Sequence, residues 1–211
     1  MEREARPPAG DLPLRIPLYL KEVLAALTAE LRRSPHVNHR SGVSVRYSIG
    51  NLETLAAAAV RRAARTGEPE AVPRVCDLHG VLEGSLGRVE FDTIDEGREE
   101  EVLSRGLKTA ELEIFRRRLS GFDFRPILSR FAQGFTAETS DLTPASELLA
   151  QFGSLPGLSK LLERLGVEEE SPGVAASAVE FALEGLHLSR RLNKDRADRT
   201  GAFRYHAGEP A

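Results

Sequence analysis

Apolar residues recur at helical spacing through most of this chain. One such stripe, with intervals of three or four residues, consists of Leu20, Leu24, Leu27 and Leu31. Side chains at these intervals lie on one face of an α-helix, so the pattern predicts a helix that buries this face. The same reasoning predicts helices over residues 17–33, 51–65, 77–82, 98–119, 143–152, 155–165 and 174–193, with a short one after Pro126.

Residues typical of helix ends mark the second predicted helix, 51–65. Arginines lie near its C-terminal end, where cations interact favourably with the helix dipole. Gly67 fits a C-terminal cap, because glycine adopts the left-handed backbone conformation without strain. Alanines on the inward face predict close packing against a neighbouring helix. Asp77 is expected to be the N-cap of the short helix that follows.

Little of the chain alternates in the way that strands do. Val89, Phe91 and Ile94 predict a short strand or extended edge within residues 88–94. The expected fold class is therefore mainly α, with at most a short β segment near 88–94. The last predicted helix, 174–193, is apolar over so broad a surface that we expect it to be central in its domain or docked on a partner.

Composition narrows the range of functions. The 211 residues are 41% hydrophobic and 29% charged, which is ordinary for a soluble globular protein. The net charge of −3 gives no general electrostatic argument for nucleic acid, so that partner is unlikely on this ground. No apolar run approaches the length of a membrane span. The single cysteine, Cys76, cannot form an intramolecular disulfide, and the cytoplasm is the expected compartment.

The chain shows no catalytic machinery of its own. His36 and His39 share a polar connector that lacks nearby cysteines or paired carboxylates, so we expect solvated histidines rather than a metal site. Cys76 is expected to be a buried structural thiol, and His187 a packed histidine on an apolar helix. The phosphate-binding motif G-x-x-x-x-G-K-[ST] does not occur. We therefore predict no catalytic and no metal-binding residues.

Arg46 is the strongest candidate for a binding residue. A turn containing Ser41, Gly42 and Ser44 precedes it, and a long helix follows it. A guanidinium group matches the geometry of phosphate because it can donate two parallel hydrogen bonds. The alternative interpretation, an ordinary surface arginine, stays open from the sequence alone.

Residues 41–78 resemble the lid subdomain of AAA+ ATPases in the magnesium chelatase subunit I and MoxR group. Those lids have a Gly-x-Ser-x-Arg type turn, then a helix, then a glycine, and then a segment similar to V-x-P-x-D-V that leads into the next element. The corresponding residues here are Gly42, Ser44, Arg46, Gly67, Val72, Pro73 and Asp77. The segment VEFALEGLHLSRRLNKDR, from Val179, is similar to the C-terminal end of bacterial chelatase-like ATPases, which are also labelled sigma-54-interacting proteins.

This resemblance implies a function as well as a fold. It implies a flexible lead-in at 1–11, a helical AAA+ lid at 12–97, a helical C-terminal extension at 98–195 and a flexible tail at 196–211. Arg46 would be the phosphate-sensing (sensor-2) arginine, supported by the turn at 41–44. ATP and Mg²⁺ would be bound only together with an AAA+ core domain, and the expected partners are that core or neighbouring subunits of a homo-oligomer.

Two departures from the family pattern are visible. The Walker A and B core that precedes the lid in the family is absent, and the segment from Arg46 to Gly67 is about one helical turn longer than expected. Two alternatives therefore stay open. The chain could be a stand-alone helical module for protein–protein interaction, or a transcription-associated regulator, a reading that rests on the family labels and the basic residues after position 189.

Overall fold

Eight α-helices and a small sheet make up the described part of the computed structural model, which comprises residues 12–38, 43–91, 97–153, 155–168, 170–197 and 202–208. The helices are α1 (Leu18–Arg33), α2 (Val45–Thr66), α3 (Leu78–Ser85), α4 (Glu99–Arg118), α5 (Arg125–Ala132), α6 (Ala145–Ala150), α7 (Leu158–Leu165) and α8 (Pro172–Leu188). The strands are β1 (Ala137–Thr139), β2 (Asn193–Arg196) and β3 (Phe203–His206). The mainly α fold class is confirmed.

Helix α8 lies at the centre of the core. Every residue from Val174 to Leu186 is buried, because this helix is apolar almost all round. Helix α4 packs on both α1 and α8, and the ring of Tyr19 stacks on that of Phe181 with 4.7 Å between centroids. The expectation of a central or docked helix is thus met by a central position.

Helix α2 begins at Val45, six residues before its predicted start. Ser44 is the N-cap, and its hydroxyl accepts a hydrogen bond from the backbone N–H of Tyr47. The Tyr47 side chain is buried, and its hydroxyl lies 2.8 Å from that of Ser85 on α3. This tertiary contact fixes the first turns of the helix, which continues through Gly50 although glycine has a low helix propensity. The predicted end is confirmed, because Gly67 caps the helix with a φ of 68°.

The sheet is antiparallel, with the strand order β1-β3-β2. It does not lie at 88–94, where Phe91 forms only an isolated bridge with Val37 and residues 92–94 fall outside the described ranges. Strand β3 lies within the predicted tail at 196–211, where the sequence predicted no regular structure. Tyr205 is only 1% exposed, so a buried aromatic side chain fixes this segment against the helices.

The predicted boundary at residue 97 separates α1–α3 from α4–α8. Helices α1 and α4 nevertheless have the most extensive helix–helix packing described, and one buried apolar cluster includes residues from both parts. The division into a lid and an extension stays a prediction. None of the described helices combines the length and apolarity that a bilayer crossing needs.

Candidate functional site

Arg46 lies in the first turn of α2, with its side chain exposed to solvent. Of the predicted supporting turn, Ser44 caps the helix, whereas Ser41 and Gly42 lie outside the described residues. Among the residues that the structure describes, no carboxylate pairs with Arg46. The guanidinium group is therefore accessible to a ligand.

A second arginine, Arg88, lies in the same surface depression as Arg46. Arg46 and Arg88 line one open depression at the N-terminal end of α2, together with Tyr47, Gly50 and Glu53. The guanidinium of Arg88 lies so close to Gly50 that a Cβ built there would stand 2.6 Å from its Nη1 atom. Two cations beside the first turn of a helix, whose backbone N–H groups are positively polarised, make a local environment that favours an anion.

The other end of α2 carries an arginine with the opposite properties. Arg62 is 3% exposed, and its guanidinium donates to Asp77 at 3.2 Å, to Glu68 at 2.7 Å and to the carbonyl oxygen of Val72 at 2.5 Å. These bonds attach the segment after Gly67 to α2. Asp77 is the N-cap residue of α3, as predicted, but its side chain makes no capping hydrogen bond. Its carboxylate instead accepts from the backbone N–H of Arg74 and from Arg62.

Arg74 and Glu180 form a buried ion pair next to Asp77. Arg74 is 1% exposed, and its Nε lies 3.2 Å from Oε2 of Glu180 on α8. The same guanidinium donates to the carbonyl oxygens of Ser140 and Thr143. Glu180 also accepts a hydrogen bond from the backbone N–H of Cys76 through Oε1, whereas its Oε2 accepts none with good geometry.

Burial controls the ionisation of these groups. Burial raises the pKa of Asp77, although the nearby Arg62 opposes the shift. Burial and the nearby Glu180 raise the pKa of the Cys76 thiol well above its usual value. A thiol that resists ionisation is a poor nucleophile, which agrees with the structural role predicted for Cys76.

A cavity of about 340 Å³ opens beside this cluster. Cys76, Asp77 and Glu180 contribute to its inner wall. Its outer wall comes from α2, α3, β2, β3 and the loop after β1, and it includes the exposed Arg61 and Arg196. The sequence analysis missed this site, because it joins elements from four separate parts of the chain.

A second buried cluster ties the C-terminal strands to the core. The hydroxyl of Tyr205 and the ammonium of Lys194 both donate to Oε2 of Glu184 at 2.6 Å. Burial opposes ionisation of Glu184, but these two partners hold its pKa below its usual value. Burial, followed by repulsion from Glu184, raises the pKa of the neighbouring Glu111 well above its usual range.

The remaining predicted side chains do not assemble into a site. His36 is half-buried in its connector, and His39 lies outside the described residues. His187 is half-buried, with Nδ1 3.3 Å from the carbonyl oxygen of Leu192. Within the described ranges, no group of three or more His, Cys, Asp or Glu side chains is arranged to hold a metal ion.

Comparisons with known proteins leave the family of this chain open. No protein-family model matches it, and no curated protein or solved structure matches it significantly. The resemblance to chelatase-like AAA+ lids therefore remains a prediction.

Proposed function

We propose that this chain is the lid and C-terminal extension of a chelatase-like AAA+ ATPase, in which Arg46 contacts the terminal phosphates of a bound nucleotide. The chain would act in the cytoplasm as part of a homo-oligomer and would contribute no catalytic residue. ATP and Mg²⁺ would be held by a core domain, so that the arginine senses whether the phosphate is present. The proposal rests on the resemblance of residues 41–78 and on the position of Arg46.

The position of Arg46 is the observation that carries this function. Its side chain is exposed, stands at a helix N-terminus and has no carboxylate partner in the described part of the chain. About half of the arginines in the described ranges are paired with acids, among them Arg62, Arg74 and Arg118. An arginine without such a partner keeps its donors available for phosphate.

The first turns of α2 are held firmly enough for this role. The hydroxyl of Tyr47 bonds with that of Ser85 on α3, and the hydroxyl of Ser48 lies 2.9 Å from that of Thr28 on α1. Arg46 therefore sits on a backbone that is fixed to two other helices. Movement of this helical unit relative to a core would carry the arginine towards or away from a phosphate.

The test uses the assembly as it exists in the source cells. A tagged copy of the chain is isolated under native conditions, its intact mass is measured, and ATP turnover is assayed. The proposal predicts a P-loop core, either in the same polypeptide or in a co-purifying subunit, and ATP hydrolysis. Arg46→Ala is expected to lower turnover by at least about tenfold, because a positioned cation beside the reacting phosphate is lost.

Arg116→Ala provides the matched control. Arg116 is also exposed and has no carboxylate partner among the described residues, but it lies at the C-terminal end of α4. Its loss should leave turnover unchanged. An assembly that does not hydrolyse ATP, or one in which both variants retain full turnover, would overturn the proposal and favour a stand-alone interaction module.

A further inference from the structure

We propose that the cavity beside Cys76 and Glu180 is a second binding site, for a small anionic molecule that carries a phosphate or carboxylate group. This site is distinct from the Arg46 depression, with which it shares no lining residue. Arg46 and Arg61 are 15 residues apart on one helix, which separates them by about 22 Å along its axis.

The charges of the cavity wall support an anionic ligand. Arg62, Arg65 and Lys194 each have a carboxylate partner, at 3.2 Å or less. Arg61 and Arg196 have none among the residues described here, and both are exposed where they line the cavity. The wall therefore presents two uncompensated guanidinium groups, one from α2 and one from β2.

Both arginines can bind the anionic group of one ligand, because both line the same cavity. Guanidinium groups bind phosphate and carboxylate with two parallel hydrogen bonds each. His79 adds a third polar group to the same wall, and Nδ1 of its exposed ring lies 3.3 Å from the carbonyl oxygen of Cys76. Glu83 is the one acidic side chain of the wall that lacks a described partner, so the unpaired groups of the wall, Arg61, Arg196 and Glu83, carry an excess of one positive charge.

The inner wall is occupied by an ion pair. Glu180 is 2% exposed, its Oε2 is buried against Nε of Arg74 at 3.2 Å, and its Oε1 accepts from the backbone N–H of Cys76. This arrangement leaves the anionic group of the ligand to Arg61 and Arg196 on the outer wall. A volume of about 340 Å³ is within the range of sites for small molecules.

The aromatic ring of Phe203 closes one side of the cavity. The ammonium of Lys194 lies 4.3 Å from the centre of this ring and is also bound to Glu184. The same ammonium lies 5.4 Å from the centre of the Tyr205 ring. Lys194 is therefore held by three groups, and it adds positive potential to the cavity rather than a free hydrogen-bond donor. This arrangement leaves recognition of the anion to Arg61 and Arg196.

The experiment measures binding of defined anions to the full chain. Pyrophosphate, citrate and glucose 6-phosphate are titrated separately into ¹⁵N-labelled protein, and potassium chloride at matched ionic strength provides the background. We expect at least one of the three anions to bind with millimolar or tighter affinity and to shift the amide signals of Arg61, Cys76 and Arg196. The phosphate and carboxylate probes together identify which anionic group the site prefers.

Substitutions then assign the binding to the cavity. Arg61→Gln and Arg196→Gln should each weaken the bound probe by about tenfold, because each removes a charge-assisted contact. Arg116→Gln, which removes the same charge elsewhere, should leave affinity within about twofold, as should Arg46→Gln. Thermal unfolding checks that each variant is folded, and both substituted side chains are exposed.

Shifts no larger than those in chloride, or equal affinity in the Arg61→Gln/Arg196→Gln double variant, would overturn this site. Binding that depends on Arg46 alone would also overturn it and would leave the proposed nucleotide contact intact.

Discussion

The two ends of α2 use the same residue type in opposite ways. Arg62, near the C-terminal end, is 3% exposed and bonded to Asp77, Glu68 and Val72. Arg46, at the N-terminal end, is exposed and has no acidic partner among the described residues. Burying a charge is tolerable only when fixed partners replace water, so Arg62 cannot leave its partners to meet a ligand. Arg46 is exposed, so its guanidinium group can bind a ligand without leaving a buried charge unpaired.

The comparison separates a structural arginine from a candidate binding arginine by environment alone. Three arginines occur in the last turns of α2, and a fourth stands in its first turn. The sequence places Arg46 after a turn and the other three near a helix end, but it does not show which of the four guanidinium groups is buried against acids. What differs is the acidic residues that the fold brings to each end.

The largest expected effect on stability comes from a substitution in the buried ion-pair cluster beside the C-terminal end of α2. Arg74→Ala removes the cation that faces Glu180 and two hydrogen bonds to carbonyl oxygens. We expect the free energy of unfolding to fall by about 3–5 kcal/mol, because a buried carboxylate is left unpaired. Urea denaturation followed by circular dichroism measures the change.

Arg74→Ala/Glu180→Gln provides the control for that prediction. The double substitution removes both charges, so it should recover part of the lost stability. A single variant as stable as the native chain would contradict the structural role of this end.

The pH dependence of the free energy of unfolding tests Glu111, a buried carboxylate that lacks a strong cationic partner. The pKa of Glu111 is raised well above its usual value of 4.5, mainly by burial. Its contribution to stability is fully present below about pH 4.5, where both states are protonated, and is lost as the pH rises towards and through the folded-state pKa. Glu111→Gln should remove this loss, so its advantage over the native chain should grow by up to about 1.4 kcal/mol per pH unit above 4.5.

The measurement is the free energy of unfolding of both proteins between pH 4 and 8. Glu113→Gln, on the same helix but exposed, is the matched control and should show no such trend. A pH-independent difference between Glu111→Gln and the native chain would show that Glu111 has the same pKa in the folded and unfolded states, and would contradict this account.

A smaller effect is expected at the end of α2. Gly67 has a φ of 68°, and no atom lies within 4 Å of the position that a Cβ would occupy. Gly67→Ala therefore introduces backbone strain without a clash, and should lower the free energy of unfolding by about 1 kcal/mol. Gly153→Ala, which has no positive φ and meets only a backbone oxygen at 3.7 Å, is the comparison in the same denaturation assay.

The smallest effect on stability is expected at the exposed end. Arg46→Ala should change the free energy of unfolding by less than about 0.5 kcal/mol, because no described partner is lost. Thermal and chemical denaturation provide the measurement. A loss of about 2 kcal/mol or more in the free energy of unfolding would show that Arg46 stabilises the fold as Arg62 does. That result would contradict the contrast between the two ends of α2.

The helices could be predicted because their signal is local. Apolar spacing placed all eight, and Gly67 marked the end of α2 correctly. The start of α2 was misplaced because it depends on the distant contact between Tyr47 and Ser85. Strand β3 was missed because three or four residues give little alternation, and burial of Tyr205 against Glu184 decides its structure.

For the site residues too, local features could be predicted and contacts between distant parts of the chain could not. Arg46 could be chosen from the sequence, because its turn and helix are contiguous, but the approach of Arg88 could not be foreseen. The buried cluster was missed, although one signal was present. Glu180 and Glu184 are one turn apart on a helix that is otherwise apolar, and buried acids of this kind need cationic partners.

The most direct test of the central claim is the position of Arg46 relative to a nucleotide. A structure of the native assembly with a non-hydrolysable ATP analogue and Mg²⁺ gives the distance from its guanidinium nitrogens to the terminal phosphate oxygens. The account predicts a hydrogen-bond distance of about 3 Å. A bound nucleotide whose phosphates meet other arginines, while Arg46 remains in solvent, would contradict it.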